Sequence, residues 1–147
     1  MKKLNEAKIV FTSHLSNEAF ARTAVAAFVA IQDPVLSEIA ELKTAVSEAV
    51  SNAAVHGYSE KIGYITVKMR LYSNSKVVIT VSDKGKGIAD VEKAREPLFT
   101  TSTNGEQAGM GFTVMESFTD DLKVRSKEGR GTTVTMTKIF NKKGTDK

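Results

Sequence analysis

A strand that runs into Asp83-Lys84-Gly85-Lys86-Gly87 can continue neither as strand nor as helix, and this break divides the whole chain. Ahead of it, residues 62–72 and 76–82 alternate with the period of a strand. Ser73-Asn74-Ser75 joins them, which predicts a hairpin. Behind it, residues 88–108 are polar, with a weak helical patch at 89–95 and Gly and Thr afterwards. A loop of that length usually serves a function. Helical spacing resumes near Gly109–Phe118. A last pair of strands, 121–127 and 131–139, turns around Glu128-Gly129-Arg130-Gly131.

The N-terminal part reads more regularly. Residues 7–13 are rich in β-branched and aromatic side chains and predict a short strand. Ser16 is placed as an N-cap, followed by Ala19, Phe20, Thr23, Ala24, Ala27, Phe28 and Ile31 at helical spacing. Asp33-Pro34 ends that helix, and Pro34 suits the first turn of the next. The second helix reaches about Val55, with Leu36, Ile39, Leu42, Val46, Ala49 and Ala53 as its apolar stripe and Gly57 as its C′ residue. The order β-α-α-β-β-loop-α-β-β describes an α+β two-layer sandwich, with helices on one face of a mixed, mostly antiparallel sheet. One domain is expected over 1–140, followed by a basic disordered tail over 141–147.

Composition excludes several classes. With 41% hydrophobic and 26% charged residues the chain is an ordinary globular one. No apolar run approaches the ~18 residues of a membrane span, and Met1-Lys2-Lys3 leads into a mixed polar stretch rather than a signal-peptide core. The expected address is the cytoplasm, with no membrane partner. The absence of cysteine removes disulfides and thiolate metal sites, and two histidines make a His-rich metal site a poor expectation. The net charge of +4 sits at the ends: residues 1–8 carry three Lys and one Glu, and residues 138–147 carry four Lys and one Asp. The chain between them is near neutral, so no direct nucleic-acid partner is expected.

Three clusters could carry chemistry. Glu48, Asn52 and His56 lie four residues apart and form one stripe on the second helix, away from the Leu42/Val46/Ala53 face. A carboxylate and a carboxamide one turn apart can hold a hard cation, or a cation and a water, and Glu48 could take a proton from a hydroxyl. The same stripe also suits a solvated polar face. Asp83-x-Gly85-x-Gly87 follows a strand directly. An acidic residue there can accept a hydrogen bond from an exocyclic amine, although the segment also reads as a plain tight turn. Gly109-Met110-Gly111-Phe112 opens a helix, where unpaired N–H groups suit a phosphate; it also reads as a flexible loop before a helix start. His14 follows a strand and suits a structural role.

Taken together and in this order, the three clusters resemble the boxes of the GHKL superfamily of ATP-binding proteins: Glu48-x-x-x-Asn52, Asp83-x-Gly85-x-Gly87 and Gly109-x-Gly111, with Gly131-Thr132-Thr133 before the final strand. The resemblance covers nearly the whole chain. Ser47–Ala53, His56-Gly57-Tyr58, Glu96-Pro97-Leu98-Phe99-Thr100-Thr101 and Gly109–Glu116 are similar to the bacterial anti-sigma factor serine kinases. The Pro-Leu-Phe-Thr-Thr and Gly-Met-Gly-Phe segments and Asn17–Arg22 most resemble the sporulation anti-sigma-F type, with the general-stress type next.

This resemblance implies the GHKL (Bergerat) fold and a cytoplasmic homodimer that binds ATP with Mg²⁺. It implies a protein that holds a sigma factor off RNA polymerase and phosphorylates a serine of a small anti-anti-sigma protein, inactivating it. By the same resemblance Asn52 would ligate Mg²⁺, Glu48 would be the general base, and Asp83 would bond the adenine amino group. Gly87 and Thr133 would line the base pocket, and Gly109, Met110 and Gly111 would cradle phosphates. Gly85 and Phe112 complete the nucleotide set. Thr100 and Thr101 would belong to an ATP lid over 96–108, and Arg22 would lie on the partner surface. One departure is visible: relatives commonly carry a basic residue just before the second glycine pair, where this chain has Glu106, Gln107 and Ala108. An Arg there would stabilise charge on the transferring phosphoryl group, and Gln cannot. An ATP-regulated anti-sigma binding protein with weak catalysis is therefore the second reading. A histidine-kinase catalytic domain fits less well, because only six residues precede the first predicted strand and neither histidine sits in a dimerisation helix pair.

Overall fold

The computed structural model describes residues 2–58, 61–96 and 111–141. Five strands form one sheet: β1 (Lys3–Thr12), β2 (Tyr64–Tyr72), β3 (Lys76–Asp83), β4 (Asp121–Lys127) and β5 (Gly131–Ile139). Their order is β1-β2-β3-β5-β4, and every pairing is antiparallel. The helices α1 (Asn17–Val29), α2 (Leu36–Asn52), α3 (Val91–Ala94) and α4 (Gly111–Ser117) complete the α+β sandwich. The last two strands fall on the predicted ranges. The first strand is longer than predicted, starting at Lys3 and pairing along its length with β2.

The core lies between one face of the sheet and the packed pair α1 and α2. Ile65, Val67, Met69 and Leu71 alternate inward along β2 and meet Val25 and Val29 of α1 and Leu42, Val46 and Val50 of α2 in one buried cluster. Each such side chain, fully removed from water, contributes ~1.5–3 kcal/mol. Thr and basic residues take the alternate positions on the open face.

Several boundaries differ from the sequence reading. Ser16 stands at the N-cap of α1 but keeps a helical backbone and makes no side-chain cap bond. Leu36 is 84% exposed, whereas Glu38 beside it is buried, so the core stripe of α2 begins at Leu42. The Glu38 carboxylate tolerates burial because it accepts the N–H of Val35 at 3.1 Å and of Asn141 at 2.7 Å. Pro34 precedes the helix rather than opening it. At the same end of the sheet the buried Lys138 ammonium donates to Glu41 Oε1 and to the Phe118 carbonyl, each at 2.9 Å. After Asn52 the helix widens into a π-helical turn, Ala53–Gly57. Beyond Asn141, the expected tail lies outside the described residues.

Among the described residues, no helix is long and apolar enough to cross a membrane.

Candidate nucleotide site

Asp83 ends β3, opposite Ile65 of β2 and Thr132 of β5. The C-terminal end of α2 reaches the same end of the sheet. Between them is a cavity of about 590 Å³, and its walls include Ala49, Asn52, Ala53, His56, Asp83, Gly87, Ile88, Gly111, Phe112, Thr132 and Val134. The volume suits a small-molecule ligand, and the apolar wall with a few polar groups is the usual make-up of such a site.

The loop after β3 is held by backbone. Gly85 donates its N–H to Asp83 Oδ1 at 2.8 Å, and Lys86 donates to the Gly57 carbonyl at 2.9 Å. A Cβ on Gly85 would run into that carbonyl, so only glycine permits the approach of the loop to the end of the π-helical turn. Gly57 is not in the left-handed conformation expected of a C′ residue. Its lack of a side chain matters because a Cβ would lie 3.0 Å from Asp83 Oδ1. Burial raises the Asp83 pKa, and the N–H groups of Gly85 and Thr132 partly offset the rise by favouring the charged form.

At the other wall, Gly111 opens α4 beside α2. A Cβ there would lie 3.1 Å from Asn52 Nδ2, 3.2 Å from Asn52 Oδ1 and 3.3 Å from Glu48 Oε1. The carboxylate and the carboxamide thus converge on the first residue of α4. Asn52 and His56 share the cavity wall with Ala49 and Ala53, so the stripe is not a solvated face set apart from the apolar one. Glu48 has its pKa raised, first by burial and then by the nearby Glu18 carboxylate. Burial, and then the Lys86 charge, lowers that of His56 and favours the neutral ring.

Thr133 requires a correction. Its hydroxyl lies 3.3 Å from Ser82 Oγ on the face of the sheet turned away from the cavity, and Thr132 is the threonine on the wall. The register explains it: Thr132 pairs with Asp83, and strand neighbours point to opposite faces. Arg22 is less outward-facing than expected. Its Nη1 donates to Ser47 Oγ on α2 at 3.2 Å and lies 3.8 Å from Glu18 Oε1. Thr100, Thr101, Gly109, Met110 and nearly all of the expected lid, with Gln107, lie outside the described residues.

Gly131 has φ +110, and a Cβ on it would run into the Asp83 carbonyl oxygen. Gly131→Ala is therefore expected to cost about 1–3 kcal/mol or more of stability through strain and overpacking. A lowered urea midpoint checks it; an unchanged midpoint would contradict the close approach of β5 to the Asp83 loop.

Among the described residues there is no cluster of three or more His and carboxylate side chains for a metal. A Mg²⁺ held by one protein oxygen, nucleotide phosphates and water needs no such cluster, so the Asn52 carboxamide fits that role.

The family of histidine kinase-like ATPase domains matches residues 11–138. An anti-sigma F factor of Thermoanaerobacter sp. (strain X514) is 54% identical over 147 residues, all of both chains. One from Pasteuria penetrans is 51% identical over 137 residues, 92% of this chain and 91% of that protein. One from Clostridium botulinum (strain Eklund 17B / Type B) is 49% identical over 138 residues, 93% of this chain and 96% of that protein. Among solved structures, the RsbU and RsbW domains of a Mycobacterium tuberculosis protein superpose with a TM-score of 0.69 at 20% identity, covering 95% of this chain. This chain spans a third, 33%, of the length of that one. The histidine kinase domain of a blue-light activated histidine kinase from Erythrobacter litoralis superposes with a TM-score of 0.55 at 18% identity, covering 84% of this chain and 60% of that one. The two structural likenesses bear on the fold, and the full-length identities carry the family: the chain belongs to the histidine kinase-like ATPase domains and, within them, to the anti-sigma F factors.

Proposed function

We propose that the protein is an anti-sigma factor that keeps a sporulation sigma factor from RNA polymerase. It is also an ATP-dependent protein serine kinase that phosphorylates and so inactivates the anti-anti-sigma antagonist. The observation that carries this reading is the convergence of Glu48 and Asn52 on Gly111, at a cavity that also holds Asp83. ATP with Mg²⁺, when bound, supplies the phosphoryl group and offsets its negative charge. Asp83 accepts a hydrogen bond from the 6-amino group of the base, with Gly87, Thr132 and Phe112 beside it. Asn52 would offer its oxygen to the metal, and Gly111 at the start of α4 would bind the phosphates, a role the resemblance also gives to Gly109 and Met110. Glu48 takes the proton from the incoming serine hydroxyl.

Radiolabelled ATP and the cognate antagonist test the reading directly: serine-linked label on the antagonist is expected. Gln107, in place of the basic residue common in relatives, favours a second reading in which catalysis is weak. ATP-strengthened sigma binding with no labelled antagonist would establish that one. We place residues 1–140 in one such domain and the active species as a homodimer, with light scattering as its check.

Arg22 belongs to the partner surface in this reading. It is 38% exposed and already faces Glu18, so part of its charge is satisfied within the chain. Arg22→Glu is expected to weaken sigma binding by about 2 kcal/mol, at the low end of a charge-pair truncation, and to spare ATP binding. Titrations with sigma factor and with ATP check both halves. Normal sigma affinity would move the interface elsewhere, and joint loss would mean misfolding.

A further inference from the structure

One side chain with no part in the chemistry proposed above ties the end of α2 to the Asp83 loop. Tyr58 is buried, at 7% exposure. Its hydroxyl accepts the N–H of Lys84 at 2.7 Å and donates to the Tyr64 carbonyl at 2.8 Å. Its ring fills a socket at Gly63, where a Cβ would run into it. Its own N–H donates to the Ala53 carbonyl at 3.1 Å and closes the π-helical turn that puts His56 and Gly57 on the cavity wall.

The consequence falls on the three peptides after Asp83. The Lys84 N–H goes to Tyr58, the Gly85 N–H to Asp83 Oδ1 and the Lys86 N–H to the Gly57 carbonyl. Residues 57 and 58 therefore hold the loop on either side of Gly85, whose N–H orients the carboxylate. Of the two contacts that residues 57 and 58 make, only that of the Tyr58 hydroxyl can be removed without altering the backbone. Its loss would leave a part-buried N–H without its partner next to Asp83, and such groups relax toward any other acceptor within reach.

We propose that Tyr58 is a positioning residue for Asp83: its hydroxyl fixes the peptide that follows, so that the carboxylate faces the base and the site prefers a purine with a 6-amino group. This rests on the reading of Asp83 as the adenine partner. A generic packing role for Tyr58 would affect all nucleotides alike, whereas a positioning role acts on the amino group.

The test uses the full chain as wild type, Tyr58→Phe and Asp83→Asn. Calorimetry measures ATP and purine riboside triphosphate, which lacks the amino group, and circular dichroism follows thermal melting. Tyr58→Phe is expected to weaken ATP by about five- to tenfold, the scale of one hydrogen bond. It should change purine riboside triphosphate by less than about twofold, so that the wild-type preference collapses. Asp83→Asn should collapse it too. If Asp83→Asn keeps the preference, the base reading of Asp83 fails and the proposal with it. If Asp83→Asn removes the preference while Tyr58→Phe keeps it, or weakens both nucleotides equally, the positioning role alone is overturned. An unfolded Tyr58→Phe would also overturn it, since the hydroxyl would then hold the whole fold rather than one carboxylate.

Discussion

Glu48→Gln is expected to leave ATP binding near its wild-type strength and to slow phosphoryl transfer to the antagonist by ~10²–10⁴, the usual contribution of a general base. The amide is nearly isosteric with the carboxylate, so the packing of α2 against Gly111 survives while the proton acceptor is lost. Single-turnover transfer with bound ATP separates the two effects, and transfer at wild-type speed would show that another group takes the serine proton. The same carboxyl sets a pH dependence. As the proposed base, Glu48 must be ionised to act, and burial and the Glu18 charge raise its pKa above the ordinary glutamate value. Transfer should be full above that raised pKa. It should fall as the pH is lowered through it, in a less acidic range than an exposed glutamate would give.

Asn52→Ala is expected to remove Mg²⁺-dependent nucleotide binding. Asn52 is the carboxamide on the cavity wall, and its oxygen comes within 3.2 Å of the Cβ position of Gly111. Loss of partners that merely orient metal ligands commonly costs 10–100-fold in affinity, so loss of the ligand itself should cost ~100-fold or more. Asn52 is half-buried and lies outside the buried core cluster of the described residues, so the melting temperature should move little. Calorimetry of ATP with and without Mg²⁺ checks the prediction; equal Mg²⁺ dependence in mutant and wild type would take the metal away from Asn52.

Much of this site was legible before any fold was known, because its polar residues sit where sequence signals are strongest. Asp83 closes a strand of clear period and precedes two glycines, and Glu48 and Asn52 share a helix face at a spacing of four. Strands β4 and β5 were legible for the same reason, with a glycine turn between two alternating runs. The resemblance to a family assigned the roles, and the geometry now brings Glu48, Asn52 and Gly111 to one place.

What failed were the readings that needed a partner distant in sequence. Thr132 and Thr133 are identical in type, so local alternation could not say which faces inward; the pairing of Thr132 with Asp83 across the sheet decided it. Helical periodicity put Leu36 in the core stripe, but Glu38 took the buried place because Asn141, 103 residues away, donates to its carboxylate. Arg22 was read outward from the α1 pattern alone; it stays 38% exposed, but periodicity did not show that it bonds Ser47 on α2. Tyr58 entered only through the likeness of His56-Gly57-Tyr58 to the family and was given no role, since its hydroxyl acquires partners only when β2 and the Asp83 loop meet around it. By itself the sequence determined element types, their order and the polar residues able to do chemistry, because periodicity, glycine and spacing act within a few residues. Tertiary structure alone decided which face each side chain shows and which charges tolerate burial, because desolvation and hydrogen bonding depend on groups that the fold brings together.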